Sequence, residues 1–290
     1  MHSTIAQLLA RGPVVTDGAW GTQLQARGLG LGEFPDLWNL AHPEKVQEVA
    51  KAYVDAGSRV ILTNTFGANR IRLAEQGAVD RLVEINTRGV EISRAAAVGR
   101  SQVFASIGPS GKILMTGDIT ADELRTAYSE QAKALADAGA DALVVETMSD
   151  LEEALLAVSA ARETGLPVVA CMVFDSGKDK DRTMMGNTPE QVARALVDAG
   201  ADVIGANCGQ GVAGFVPICK RLHAATDRPI WAKANAGLPE LLDGKTVYRN
   251  TPEEFVSFVP ELIKAGASFV GGCCGTSPAF VAAISRQISS

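Results

Sequence analysis

Asp55-Ala-Gly-Ser-Arg-Val-Ile-Leu62, Asp137-Ala-Gly-Ala-Asp-Ala-Leu-Val144, Asp198-Ala-Gly-Ala-Asp-Val-Ile-Gly205 and Lys264-Ala-Gly-Ala-Ser-Phe-Val-Gly271 are variants of one phrase. Each reads as a helix end running into a strand. Gly57, Gly139, Gly200 and Gly266 stand where a helix needs a left-handed residue to stop, and the apolar run that follows is short and β-branched. A joint repeated in this way points to repeated αβ units.

Working outward from these joints, apolar strands fall near 13–17, 59–65, 103–108, 142–147, 167–174, 203–208, 229–235 and 269–274, separated by segments of helical period. Helices from Pro43 to Ala56, Ala121 to Ala138, Thr188 to Ala199 and Thr251 to Ala265 open on a proline or a hydroxyl or acidic cap. Eight alternating βα units favour a closed (β/α)8 TIM barrel of the α/β class over an open doubly wound sheet. The chain, residues 1–290, reads as a single domain without linker or low-complexity tract. The polar, glycine-containing stretch from Asp175 to Asn187 fits either a mobile loop after the fifth strand or a solvated loop with no duty.

With 290 residues, 47% of them hydrophobic, the chain is long enough for one substantial core. Its formal charge of −6 supplies no basic field for nucleic acid or a membrane surface. The N-terminal residues carry no signal-peptide pattern, and no apolar run approaches the roughly 18 residues of a membrane span, so a cytoplasmic protein is expected. The five cysteines are an odd number and no signal peptide is evident, which favours metal or thiol chemistry over a disulfide framework.

In a barrel of this kind the active site lies at the C-terminal ends of the strands. Asp17 and Gly18, Thr63 to Phe66, Glu146 and Thr147, Cys208, Asn235, and Cys273 with Cys274 all fall at such ends. Catalytic zinc takes three protein ligands and keeps a fourth position open, and Cys208, Cys273 and Cys274 fit that count. Neighbouring residues of a regular strand face opposite ways, so the Cys273–Cys274 pair requires a break in the pleat, which Gly271, Gly272 and Gly275 permit. Small buried cysteines or a vicinal disulfide are the other readings of the same residues. Cys171 and Cys219 read as core. Asp17 and Glu146 are suited either to a substrate ammonium or to nearby backbone. None of His2, His42 and His223 falls at a strand end, which disfavours a histidine-based zinc hydrolase or lyase.

The motifs Thr-Asp-Gly-Ala-Trp-Gly-Thr from Thr16, Thr-Asn-Thr-Phe-Gly-Ala from Thr63, Glu-Thr-Met-Ser-Asp from Glu146, Gly-Ala-Asn-Cys-Gly from Gly205, Asn-Ala-Gly-Leu-Pro from Asn235 and Gly-Gly-Cys-Cys-Gly-Thr from Gly271 run in order along almost the whole chain. In them the chain resembles the homocysteine S-methyltransferase family, and most of all the homocysteine-binding module of cobalamin-dependent methionine synthases. The resemblance implies a zinc-bearing barrel that methylates the sulfur of homocysteine to give methionine. It implies that Cys208, Cys273 and Cys274 are the zinc ligands and that Asp17, Gly18, Thr63 and Glu146 hold the amino-acid end of the substrate. Asn235 is a candidate for the fourth zinc position when homocysteine is absent.

Members of that family differ in methyl donor. Betaine users carry a tyrosine just after the strand-two motif, where this chain has Gly67, and a quaternary ammonium is held by aromatic faces. The expected donor is therefore methylcobalamin; the folate, cobalamin and reactivation modules are absent from these residues, so either the chain is an excised module or, as expected, the methyl-corrinoid arrives on a separate protein. S-methylmethionine or S-adenosylmethionine is the alternative, with Trp20 and Trp38 either shaping a cationic site or packing the first loop. A non-catalytic zinc- or thiol-binding homologue is the reading from another class.

Overall fold

A computed structural model describes residues 2–242 and 245–289. Its main sheet contains β1 (Val14–Val15), β2 (Val60–Ile61), β3 (Gln102–Ile107), β4 (Ala142–Met148), β5 (Val168–Met172), β6 (Val203–Gly211) and β7 (Ile230–Asn235). A hairpin of β8 (Glu240–Leu242) and β9 (Lys245–Val247) follows, and β10 (Ala267–Gly272) completes the sheet. The order is β1-β10-β7-β6-β5-β4-β3-β2, with every pairing between neighbours parallel. A parallel bridge from Thr16 to Val60 and the bond from Arg59 N to Val15 O at 2.8 Å join the two edges. The sheet is thus a closed eight-stranded (β/α)8 barrel, as the repeated joints predict.

The joints themselves behave as expected. Gly57, Gly139, Gly200 and Gly266 have φ of 99°, 91°, 94° and 106°. The helices Pro43–Asp55, Ala121–Asp137 and Pro189–Asp198 match their predicted spans, the last two opening on capping boxes built by Thr120 with Glu123 and Thr188 with Gln191. Inside the barrel Phe104, Trp231 and Phe269 pack in one apolar cluster with Val14, Val60 and Cys171, and Ile5 and Leu8 of the helix Ser3–Leu9 join it. This apolar floor leaves the opposite, C-terminal mouth for polar side chains.

Three expectations are corrected. The segment from Thr251 to Ala265 is two helices, Pro252–Ser257 and Val259–Lys264, because Pro260 has no amide proton to continue the first helix's ladder. The second strand pairs only over Val60–Ile61, its predicted end at 65 having left the sheet. The β8–β9 hairpin was not anticipated.

The stretch from Asp175 to Asn187 is tied down rather than free of contacts. Ser176 bridges Arg182, Thr183 N donates to Asn187 O at 3.1 Å, Gln210 Nε2 donates to Lys180 O at 3.1 Å, and Asp181 pairs with Arg221.

Candidate metal and substrate site

The three cysteines reach one point through two breaks in regular strand. Within β6, Cys208 has φ of 62° and Gly209 78°, and the β6–β7 register slips between Asn207 and Gly211. A non-glycine residue held there is strained, and such strain persists only where neighbours enforce it. Cys273 and Cys274 lie just past the end of β10, in a turn made by Gly275 at φ 81°. Cys273 N donates to Ala234 O at 2.7 Å, and Ala236 N donates to Cys274 O at 2.9 Å, so the turn is fastened to β7 and the residue after it. The break in the pleat that adjacent cysteine ligands demand is therefore present.

The Sγ atoms of Cys208, Cys273 and Cys274 all lie within 4.8 Å of one another, and those of Cys208 and Cys274 are 3.7 Å apart. A tetrahedron with zinc–sulfur bonds of about 2.3 Å has sulfur–sulfur edges of about 3.8 Å, so the three atoms are spaced to share one metal ion. All five cysteines are free thiols, and Cys171 and Cys219 are buried in the core as expected. Without a metal the cluster holds its protons. For Cys208 the hydrogen bond with Cys273 favours the thiolate, but the bond with Cys274 and burial outweigh it and push the thiol up to about 12. Cys274 also stands at about 12, its bond with Cys208 lowering it and its bond with Cys273 and burial raising it. The bond with Cys208 raises Cys273, and burial adds to it. Tyr248 hydrogen-bonds Cys274 and packs over Gly275, where any Cβ would overlap its ring.

Beside the thiols stands a buried charged group. Asp17 is 0% exposed and Lys233, on β7, is 2% exposed; their side chains form an ion pair. The second oxygen of Asp17 accepts Trp20 Nε1 and Leu62 N, each at 2.7 Å. Burial pulls the Lys233 ammonium down, and Asp17 and Glu146 more than offset this and hold it charged. Glu146 Oε1 accepts Ser106 Oγ at 2.5 Å, while among the described residues Oε2 has only Asn207 Nδ2, at 3.4 Å. Burial raises the Glu146 carboxyl above its ordinary value, and Lys233 and Ser106 partly counter it.

Thr63 Oγ1 accepts Ser106 N at 3.1 Å and shares a 2.6 Å bond with Thr65 Oγ1. Gly18 is pressed against Thr276 and Tyr53, each with an oxygen 2.8 Å from where a Cβ would sit. The Asn235 Oδ1 atom is buried and has no hydrogen-bond partner among the described residues. Asn207 was not singled out as a site residue, yet it connects the parts. Its Oδ1 accepts Thr147 N at 2.7 Å, and its Nδ2 lies 2.7 Å from Thr147 Oγ1 and 3.8 Å from Cys273 Sγ. Lys233 was missed as well, although a lysine inside the apolar run Ile230-Trp-Ala-Lys-Ala-Asn235 is a signal of a buried partner.

The first loop favours the packing reading of its tryptophans. Trp38 is buried against His42, with its indole donating to Glu33 Oε2 at 3.1 Å, and Trp20 is held by Asp17. At Gly67 an added Cβ would stand 2.6 Å from the Phe34 ring and 3.2 Å from Asp36 Oδ2, so that position has no room for an aromatic side chain.

A closed βα barrel that gathers three thiols at its C-terminal mouth is the architecture of an enzyme able to hold a metal there. Over residues 14–288 the sequence matches the homocysteine S-methyltransferase family, and the chain belongs to that family. It is 31% identical to the methionine synthase of Mycobacterium tuberculosis and 30% identical to that of Mycobacterium leprae, in both cases over 98% of this chain but 25% of the relative. The chain thus spans about a quarter of the length of these relatives.

Its fold is similar to that of the homocysteine methyltransferase MmuM from Escherichia coli in its metallated form, with a TM-score of 0.81, 24% identity, and 97% of this chain matched to 98% of that one. A more distant likeness, with a TM-score of 0.56 and 14% identity, joins 98% of this chain to 48% of a carboxyl transferase domain chain from Rhizobium etli pyruvate carboxylase.

Proposed function

We propose that this barrel binds zinc through Cys208, Cys273 and Cys274 and transfers a methyl group to the sulfur of homocysteine, giving methionine, with a methyl-corrinoid protein as donor. The observation that carries the reading is the trio of sulfurs within 4.8 Å of one another, linked through the Asn207 amide to the buried acid Glu146. Bound there, zinc supplies the Lewis acidity that keeps a substrate thiol in its nucleophilic thiolate form at neutral pH.

The chain's own residues do the rest. Cys208, Cys273 and Cys274 would hold the metal through their sulfurs, a ligand number that suits a catalytic zinc ion. Glu146 receives the substrate ammonium; Gly18, Thr63 and the Asp17 group shape the amino-acid end of the pocket. Asn207 holds the Glu146 and Cys273 side chains in register. The unpartnered Asn235 Oδ1 fits a role as the group that occupies the fourth position until the thiol arrives.

The methionine synthases to which the chain is similar are about four times as long, which supports a donor carried on another polypeptide or another part of a longer one. A second reading, a small donor such as S-methylmethionine or S-adenosylmethionine, is favoured by the match to 98% of the MmuM chain, a methyltransferase of one barrel. The test is methionine formation from homocysteine by the zinc-loaded protein with methylcobalamin, S-methylmethionine, S-adenosylmethionine or betaine. Turnover with methylcobalamin alone supports the corrinoid reading; turnover only with a sulfonium donor moves the assignment to the second; no turnover and no homocysteine binding rejects both.

A further inference from the structure

We propose that Lys233 takes the place of a substrate ammonium at Asp17, so that Asp17 acts as a positioning residue and Glu146 is the one acid of the pair that contacts the amino group of the thiol substrate. This rests on the reading of homocysteine as substrate and assigns different duties to two acids that the family resemblance treats alike.

The difference lies in what each carboxylate has left to offer. Asp17 is sealed, at 0% exposure, and an ionised carboxylate has about four acceptor sites. Lys233 Nζ takes one oxygen; Trp20 Nε1 and Leu62 N take the other. Three of the four sites are thus filled, and with the carboxylate sealed a substrate ammonium could pair with Asp17 only by crowding or displacing Lys233, and displacement would strand a buried lysine without its counter-ion. Glu146 is 7% exposed, and one of its oxygens has a single donor at 3.4 Å, longer than a charge-assisted bond. It therefore keeps acceptor capacity, and the Asn207 amide that reaches it lies 3.8 Å from Cys273 Sγ.

The bonds of Asp17 also explain its positioning role. Trp20 belongs to the loop after β1, and Leu62 immediately precedes Thr63 at the end of β2, so the Asp17–Lys233 pair pins both loops to β7. Lys233 is in register with Gly271 on β10, two residues before Cys273 and the turn that carries the cysteines. A cation fixed at this level also lends Glu146 an opposite charge, which keeps a buried acid able to ionise.

The experiment measures calorimetric binding of L-homocysteine and of 4-mercaptobutanoate, the same thiol acid without its amino group, to the zinc-loaded protein and its variants. The wild type is expected to prefer homocysteine by about tenfold or more, the worth of one charge-assisted hydrogen bond. Glu146→Gln should abolish that preference. Asp17→Asn, and the paired Asp17→Asn/Lys233→Met that leaves no lone buried charge, should keep it even where overall affinity falls.

A loss of overall affinity is what any structural damage produces; the ratio between the two thiols is not. If either folded Asp17 variant loses the preference as Glu146→Gln does, or if Glu146→Gln retains it, the assignment is overturned while homocysteine stands as substrate. If the wild type itself does not discriminate between the two thiols, the homocysteine reading fails first. Should neither Asp17 variant fold, Glu146→Gln still decides: complete loss of the preference supports Glu146 as the one acid in contact, and a residual preference overturns it.

Discussion

Cys208 and Cys274 bring their sulfurs to 3.7 Å across 66 residues of sequence, on turns that belong to two different strands. In the metal-free protein both thiols stand at about 12, so they are protonated at neutral pH and become thiolates only when a metal displaces the protons. Zinc uptake should therefore release protons, with an affinity that rises steeply between pH 6 and pH 9, as measured by calorimetry in buffers of different ionisation enthalpy. Replacing any one of the three cysteines by serine should lower zinc affinity by at least about tenfold, and chelation should abolish homocysteine binding while leaving the barrel's circular dichroism in place.

Asn207 is expected to be the most costly single truncation in the site outside the metal ligands. Asn207→Ala would leave the half-buried Thr147 N–H without its acceptor and remove an amide donor to Cys273, at a residue whose neighbour Thr147 is already held at φ 60°. An orphaned donor costs about 1–3 kcal/mol, and the left-handed Thr147 loses the bond that secures it. Urea unfolding should show a loss in that range, together with a raised KM for homocysteine.

Asp36 offers a pH test remote from the thiols. It lies buried in the first loop, accepts Gly67 N at 2.9 Å, and burial raises its carboxyl to about 7. The folded protein then holds this proton more tightly than the unfolded chain, so the group's contribution is complete below about pH 4 and is lost as pH rises through about 7. The total is at most about 4 kcal/mol over that window. Asp36→Asn keeps an oxygen for Gly67 N and has no such titration. The variant should therefore gain stability relative to the wild type between pH 5 and pH 8, which thermal melts across that range would detect; equal shifts at both pH values would contradict it.

What the sequence made legible follows the range of the interactions. The helix stops at Gly57, Gly139, Gly200 and Gly266 are set by local backbone sterics, and eight apolar runs alternating with helical segments are enough to imply closure. The cysteine turn was legible for a similar reason, since two adjacent ligands cannot face one way without the glycines around them. Lys233 and Asp17 were not, because they are 216 positions apart and neither residue announces the other. Asn207 lay within a quoted motif, but its role depends on the Thr147 backbone, which no pattern of side chains records. In the β8–β9 hairpin each strand has three residues and those of β8 are all exposed, so β8 lacks the buried face that gives longer strands their alternation.

Gly275 provides the sharpest test of how the cysteine turn is built. Its φ of 81° is one that a residue with a side chain adopts at a cost of about 1–2 kcal/mol. A Cβ there would also run into the ring of Tyr248, the residue that hydrogen-bonds Cys274. Gly275→Ala must therefore either push Tyr248 away or shift Cys274 out of the sulfur triangle, and in both cases the ligand set loses its fit. Zinc affinity measured by competition with a chromogenic chelator should fall by about tenfold or more. Tyr248→Ala, which opens the space, should restore part of it in the double variant. A Gly275→Ala protein that binds zinc as the wild type does would mean that the turn is not what holds Cys274 beside Cys208.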